Sequence, residues 1–250
     1  MALLLEAKNL SKAFGGLQAL RDVHLSVSAG ERVGIIGPNG AGKTTLFNIL
    51  SGFYPPNSGM VLLDGQNILG KKPYQIVNLG LTRTWQLVKP FSGMTVLEAV
   101  SVPTFSHRAK IRSSSDSTPK VDIVRILEGI GLADKVWEEV DNLNHSELRL
   151  LDISRAMATH PRILLLDEPF SGLSPKETEK ISRMILDLNH RGLTVLIIEH
   201  RLRELMKLVQ KVMVIHFGEK IAEETPEAII RDSRVIQAYL GERSPEIGLA

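Results

Sequence analysis

The stretch GPNGAGKTT, residues 37–45, decides how this chain is read. Its spacing, Gly37-x4-Gly42-Lys43-Thr44, follows a strand pattern from Arg32 to Ile36 and leads into a helical pattern from Thr45 to Leu50. Glycine carries no Cβ, so backbone amides can curl closely around phosphate oxygens, and a helix N-terminus adds positive potential there. In a strand–loop–helix setting this spacing points to a bound nucleoside triphosphate rather than to a plain turn. The expected contacts are Gly37, Pro38, Asn39, Gly40, Ala41, Gly42, Lys43, Thr44 and Thr45. Lys43 is expected to reach the β- and γ-phosphates, and Thr44 to ligate Mg²⁺.

A second constellation, LLLDEPFSGLSP, occupies residues 164–175. An apolar run ending in Asp167 delivers a carboxylate to the metal's coordination sphere. Glu168 follows it, on the other side of the strand axis, where it can polarise an attacking water. Another strand pattern, Thr194 to Ile198, ends in Glu199-His200. Ligands of open α/β sheets bind at that carboxyl edge, which makes His200 a candidate γ-phosphate contact.

The remaining pattern alternates strands and helices. Val23, Leu25 and Val27 alternate with His24, Ser26 and Ser28, the period of a half-buried strand. A turn at Ala29-Gly30-Glu31 separates this strand from the next. Met60 to Leu63 ends at Asp64-Gly65, a hairpin signal. From Phe91 to Val140 the pattern is helical, with Val121, Val124 and Leu127, joined by Ile123 and Ile130, on one apolar side. Within it SHRAKIRSSSDSTPK, residues 106–120, reads as a solvated loop. Ile163 to Leu166 reads as a buried central strand. Ile181, Met184, Ile185 and Leu188 mark one helix face, opened by Ser174-Pro175-Lys176-Glu177 as cap, first-turn proline and glutamate. No internal repeat is present.

Composition narrows the function classes. The chain has 250 residues, 43% of them hydrophobic, enough for a large buried core. Its 30 basic and 28 acidic residues contain no long block of one sign, so electrostatics give little reason to expect nucleic acid as partner. With no cysteine there is neither a disulfide framework nor a cysteine-ligated metal. MALLLEAKNL lacks the basic leader and apolar core of a signal peptide, and no apolar run approaches the ~20 residues that span a bilayer. The expectation is a soluble chain whose membrane role comes through a partner.

Taken together, the P-loop, the LLLDEP strand, Gln86 in TRTWQ, the SGLSP turn and His200 resemble the ATP-binding subunit of an ABC transporter. FGGLQAL, LTRTWQ followed by PFSGMTVLEAV, IIEHRL and GEKIAEETPEAIIRDSRVIQAYLGE look like the ATPases of branched-chain amino-acid importers. The resemblance implies an α/β P-loop NTPase fold with an antiparallel β subdomain and an inserted helical subdomain. It implies a single ABC ATPase domain over 1–250, with 1–90 and 160–250 as core and about 91–159 as the helical part. By the same resemblance Phe14 stacks on adenine, Gln86 touches Mg²⁺ or water and senses the membrane partner, Glu168 is the catalytic base and His200 the switch histidine. Catalysis is thus expected from Glu168, His200 and Gln86, and metal ligation from Thr44, Gln86 and Asp167, with ATP and Mg²⁺ bound. The implied partners are integral membrane permeases, docking around Gln86 and Phe91 to Val96, and a second ABC ATPase subunit. The implied location is peripheral, on the cytoplasmic face of the cell membrane.

Against that pattern LNHSE, residues 143–147, stands where the family has its signature motif, commonly LSGGQ. In the family this motif faces the γ-phosphate held by the other subunit, so Asn144, His145, Ser146 and Glu147 are expected to act in trans. Asn144 can still cap a helix. Ser146 adds a Cβ and hydroxyl where glycine allows close backbone approach, and it is strained if the backbone angle is positive. Leu148 replaces a glutamine, Arg201 an aspartate, Ser174 the aspartate or asparagine of the D-loop, and Gln210-Lys211 an Asp-Arg pair. The expectation is an intact ATP-holding face with a poorer face offered to the partner subunit. Two other readings stay open: a low-turnover regulatory subunit, and a soluble ABC ATPase acting on nucleic acid or in translation.

Overall fold

A computed structural model describes residues 3–85, 91–112 and 119–240. Gln86, Gly241 to Ala250 and the 113–118 part of the Ser-rich stretch lie outside the described residues. The chain divides into two units, Met1–Lys71 with Leu196–Ala250, and Lys72–Val195.

The first unit opens with β1 (Leu3–Phe14), β2 (Leu17–Ser28), β3 (Arg32–Ile36), α1 (Lys43–Leu50), β4 (Ser58–Leu63) and β5 (Gln66–Asn67). The second holds α2 (Pro73–Leu79), β6 (Leu81–Arg83), α3 (Val96–Ser101), α4 (His107–Arg112), α5 (Pro119–Ile130), α6 (His145–Met157), β7 (Ile163–Asp167) and α7 (Pro175–His190). The division falls within β8 (Thr194–Ile198). The first unit then resumes with α8 (Leu202–Leu208), β9 (Lys211–His216), β10 (Glu219–Glu224), α9 (Pro226–Arg231) and α10 (Ser233–Leu240).

In the first unit β1, β2, β4 and β5 form an antiparallel sheet in the order β2-β1-β4-β5. The alternation read at Val23, Leu25 and Val27 is the buried face of β2, with His24 and Ser26 exposed. Asp64 and Gly65 both adopt positive φ, 52° and 76°, the pair a two-residue hairpin turn requires. The same unit places its other strands in the order β10-β9-β3-β8, with β3 parallel to β9 and β9 antiparallel to β10. In the second unit the order is β8-β7-β6, with Leu81, Thr82 and Arg83 paired in parallel to Ile163, Leu164 and Leu165. Every residue of β7 and β8 is buried, which is why both read as unbroken apolar runs. This is the mixed α/β architecture expected from the P-loop context. No helix among the described residues is long and apolar enough to cross a membrane.

The structure corrects several local readings. The helix after the loop begins at Lys43, two residues earlier than its apolar pattern, because its first turn is set by the loop. The 91–140 region is not one helical stretch. A Thr95–Glu98 capping box starts α3, and a left-handed Gly131 ends α5. The core face of α5 is Ile123, Leu127 and Ile130, spaced i, i+4, i+7, whereas Val124 is only half-buried. Part of the presumed loop at 106–120 is α4, where Ala109 is buried and Arg108 Nε donates to His160 O at 2.6 Å. On α7, Leu188 is half-buried while Asn189 is buried and donates to Leu193 O at 2.7 Å.

Candidate functional site

In the first unit, residues 37–42 carry the chain from β3 into α1. Gly37 has φ +150°, and a Cβ there would lie 2.0 Å from Ile215 O. Gly42, at φ +108°, would place a Cβ 2.4 Å from Ala19 O. Backbone atoms set both limits, so no side-chain adjustment can make room. The side chain of Lys43 is drawn into the loop: the residue is 6% exposed, and Nζ donates to Pro38 O at 2.8 Å and to Gly37 O. Gly42 gives α1 no side-chain cap, so the first-turn amides are directed at whatever lies in the loop. A glycine-built cradle, a buried ammonium and a side-chain-uncapped helix start fit a phosphate chain. Thr44 is exposed in that first turn and offers the oxygen donor a hard cation takes.

Also in this unit, Glu199 and His200 follow β8 with different roles. The buried Glu199 carboxylate accepts from the backbone N–H groups of His200, at 2.9 Å, and Arg201, at 3.2 Å. His200 is exposed. The sequence singled out His200; Glu199 is the group that fixes the turn presenting it. Phe14 ends β1 with 43% of its surface exposed, meets Tyr54 edge-on at 5.3 Å and carries Lys12 Nζ 5.0 Å from its ring centroid. Its exposed ring is available to stack a planar base.

In the second unit β7 delivers Asp167 to its carboxyl end, 2% exposed. Arg83, at the end of β6, donates from Nη2 to Asp167 Oδ2 at 2.6 Å. Sequence reading missed this partner, although parallel pairing of the two strand ends brings them together. Glu168 is half-buried and adopts φ +48°, unusual for a residue with a Cβ, and its carbonyl accepts from Ser171 N at 3.2 Å. The chain therefore swings out of the strand at the proposed base instead of continuing its alternation.

The LNHSE segment opens α6. Asn144 is the N-cap: its Oδ1 accepts from Glu147 N at 3.0 Å, and Glu147 returns the bond to Asn144 N at 2.9 Å. Ser146 lies within the helix and is not among the positive-φ residues, so the strain considered for serine is absent. It is 8% exposed. Glu177 closes the cap of α7 with Ser174, and the Ser174 bonds hold its carboxyl below the ordinary value, with nearby Ser146 adding a lesser part. His145 Nε2 lies 3.1 Å from Ser171 O, and a Cβ on Gly172 would meet that same nitrogen at 2.9 Å. The segment and the turn after Glu168 thus form one polar cluster, a link the sequence did not reveal.

Gln86 lies outside the described residues. Of the stretch expected to meet a membrane partner, Phe91 is exposed and Met94 half-buried, whereas Val96 is fully buried in the first turn of α3 and is not surface.

The sequence matches the family model for the ABC transporter over residues 20–171. It is 40% identical over 252 residues to the high-affinity branched-chain amino acid transport ATP-binding protein LivG of Escherichia coli strain K12, covering 96% of this chain and 98% of that one. Identity to BraF of Pseudomonas aeruginosa, whose description is otherwise the same, is 38% over 250 residues, covering 96% and 98%. Among solved structures, the ADP conformation of an ATP-binding cassette of an ABC transporter matches with a TM-score of 0.86 at 30% identity, covering 96% of this chain and 100% of that chain.

Proposed function

We propose residue roles, a cargo and partners for a chain that belongs to the ABC transporter family of ATP-binding proteins. It is a transport ATPase, converting ATP and water to ADP and phosphate to drive solute movement. The cargo we assign is branched-chain amino acids, moving inward, a reading supported by the names of LivG and BraF. The partners are integral membrane permeases and a second ABC ATPase subunit, with this chain peripheral at the cytoplasmic face of the membrane; no nucleic acid is involved.

The observation that carries the reading is the glycine-built loop around the buried Lys43 ammonium. Gly37 to Thr45 hold the triphosphate, with Lys43 neutralising the β- and γ-phosphates and the α1 amides receiving phosphate oxygens. Phe14 stacks on the adenine. Thr44, Gln86 and Asp167 would hold a Mg²⁺ ion, which would supply positive charge beside the phosphates. Glu168 takes the proton of the attacking water, Gln86 orients that water, and His200 contacts the γ-phosphate. Asn144, His145, Ser146 and Glu147 present the α6 amides in trans to the nucleotide of the second subunit.

The test is reconstitution with the permeases and a solute-binding protein in proteoliposomes, following labelled leucine uptake beside phosphate release. ATP-dependent uptake, abolished by Lys43→Ala together with ATP binding, is expected. ATP hydrolysis without leucine uptake overturns the cargo, and failure to associate with any permease overturns the transport role.

A further inference from the structure

We infer that Arg149, Asp152 and Arg155 are positioning residues through which α6 grips Trp85 and Phe91, and that this grip couples the signature segment to the permease-facing surface. The three side chains recur at i, i+3 and i+6, so they share one face of α6. Arg149 Nη1 donates to Trp85 O at 2.9 Å, and Trp85 N donates to Asp152 Oδ2 at 3.1 Å. Both backbone polar groups of one residue are therefore held by one helix. Arg149 and Asp152 are 5% and 8% exposed, so these bonds are sheltered from competing water. Arg155 extends the row: its Nη1 lies 3.9 Å from Asp152 Oδ1, and its Cζ sits 4.3 Å from the ring centroid of Phe91.

Trp85 and Phe91 are 39% and 36% exposed, each with one side held and the other facing out. Trp85 is fastened a second time, because Arg83 Cζ lies 4.4 Å from its ring centroid while the same guanidinium pairs with Asp167. The row thus runs from the signature helix through Trp85 to the strand-end carboxylate. From Asn144 to Asp152 is eight helical steps, about 12 Å at 1.5 Å per residue. Over that length a helix behaves as a rod. A displacement of Asn144 and Ser146 on meeting a phosphate is therefore passed to Trp85 without slack.

The inference rests on the transport role proposed above, and its test separates the two. Phosphate release is measured in proteoliposomes with and without permease and amino acid, for the unaltered chain, Asp152→Asn, Asp152→Ala and Arg155→Ala. Asp152→Asn keeps an acceptor for Trp85 N and is expected to retain stimulation. Asp152→Ala is expected to lose stimulation by roughly tenfold, the equilibrium worth of one charge-assisted hydrogen bond, while ATP affinity stays within about twofold. Where Asp152→Ala does not fold, Arg155→Ala decides, since it removes the outer end of the row and leaves both Trp85 hydrogen bonds in place. A second readout uses Trp85 fluorescence in a Trp137→Phe background, residue 137 being 75% exposed. Iodide quenching of Trp85 should rise in Asp152→Ala and not in Asp152→Asn. Absence of stimulation in the unaltered chain defeats the transport role. Normal stimulation of that chain and equal stimulation of the folded alanine variants defeats the grip.

Discussion

The guanidinium of Arg83 donates to the carboxylate of Asp167 at 2.6 Å, with both side chains almost sealed from water. Removing one partner of such a pair strands the other charge in a poorly hydrated place. Arg83→Met is therefore expected to lower folding stability by about 3–5 kcal/mol, and Arg83→Lys by less. Urea unfolding followed by circular dichroism measures both. An Arg83→Met chain unfolding at the same midpoint would show that the pair contributes nothing to the fold.

Glu168→Gln should leave ATP affinity nearly unchanged and slow single-turnover hydrolysis by at least ~100-fold, the lower end of what general-base catalysis supplies. Calorimetric titration and rapid-quench phosphate release check the two halves. A variant hydrolysing at the normal rate places the base elsewhere.

Asn144→Ser with Ser146→Gly is expected to raise ATPase activity of the isolated chain by about 10-fold, the return of one charge-assisted hydrogen bond near 1.5 kcal/mol. The same change puts glycine into a helical turn and should lower stability by roughly 0.5–1 kcal/mol. Because Ser146 already has helical geometry, relief of strain cannot add to the gain. Equal turnover before and after the change would mean that LNHSE is a fully working form of the motif.

Burial raises the Asp152 carboxyl above its ordinary value, the bond from Trp85 N and the nearby Arg155 and Arg149 charges offsetting only part of this. A folded-state value above the unfolded one means that the native chain binds more protons between the two. The contribution of Asp152 is thus most favourable below the ordinary carboxylate range and declines as pH rises through the folded value. Asp152→Asn should flatten that decline. Urea midpoints of both chains from pH 4 to 8 measure the difference; parallel curves would count against a raised carboxyl.

The cradle was legible in the sequence because each of its elements leaves a local mark. Gly37 and Gly42 answer to backbone crowding, Lys43 to charge, and the flanking strand and helix to their own periods. The strands β7 and β8 were legible because burial on both faces leaves an unbroken apolar run. Arg83 was not, since its partner stands 84 residues away and only strand pairing unites them. Glu199 was hidden by its neighbour: a carboxylate that accepts local backbone N–H groups has the same sequence as one aimed at a ligand. Short helices such as α4 were missed because Ser-rich, basic composition outweighed the single buried Ala109.

The left-handed backbone at Glu168 sets what random change in this lineage would do. That conformation is ordinary for glycine and costs glutamate about 1–2 kcal/mol. One nucleotide separates glutamate codons from glycine codons, so the substitution is always near at hand. A library of variants chosen only for survival on heating should collect glycine and asparagine at position 168. One chosen for growth on imported amino acid should keep glutamate and accept the poorer fold. Selection for heat resistance and selection for uptake should therefore pull position 168 in opposite directions.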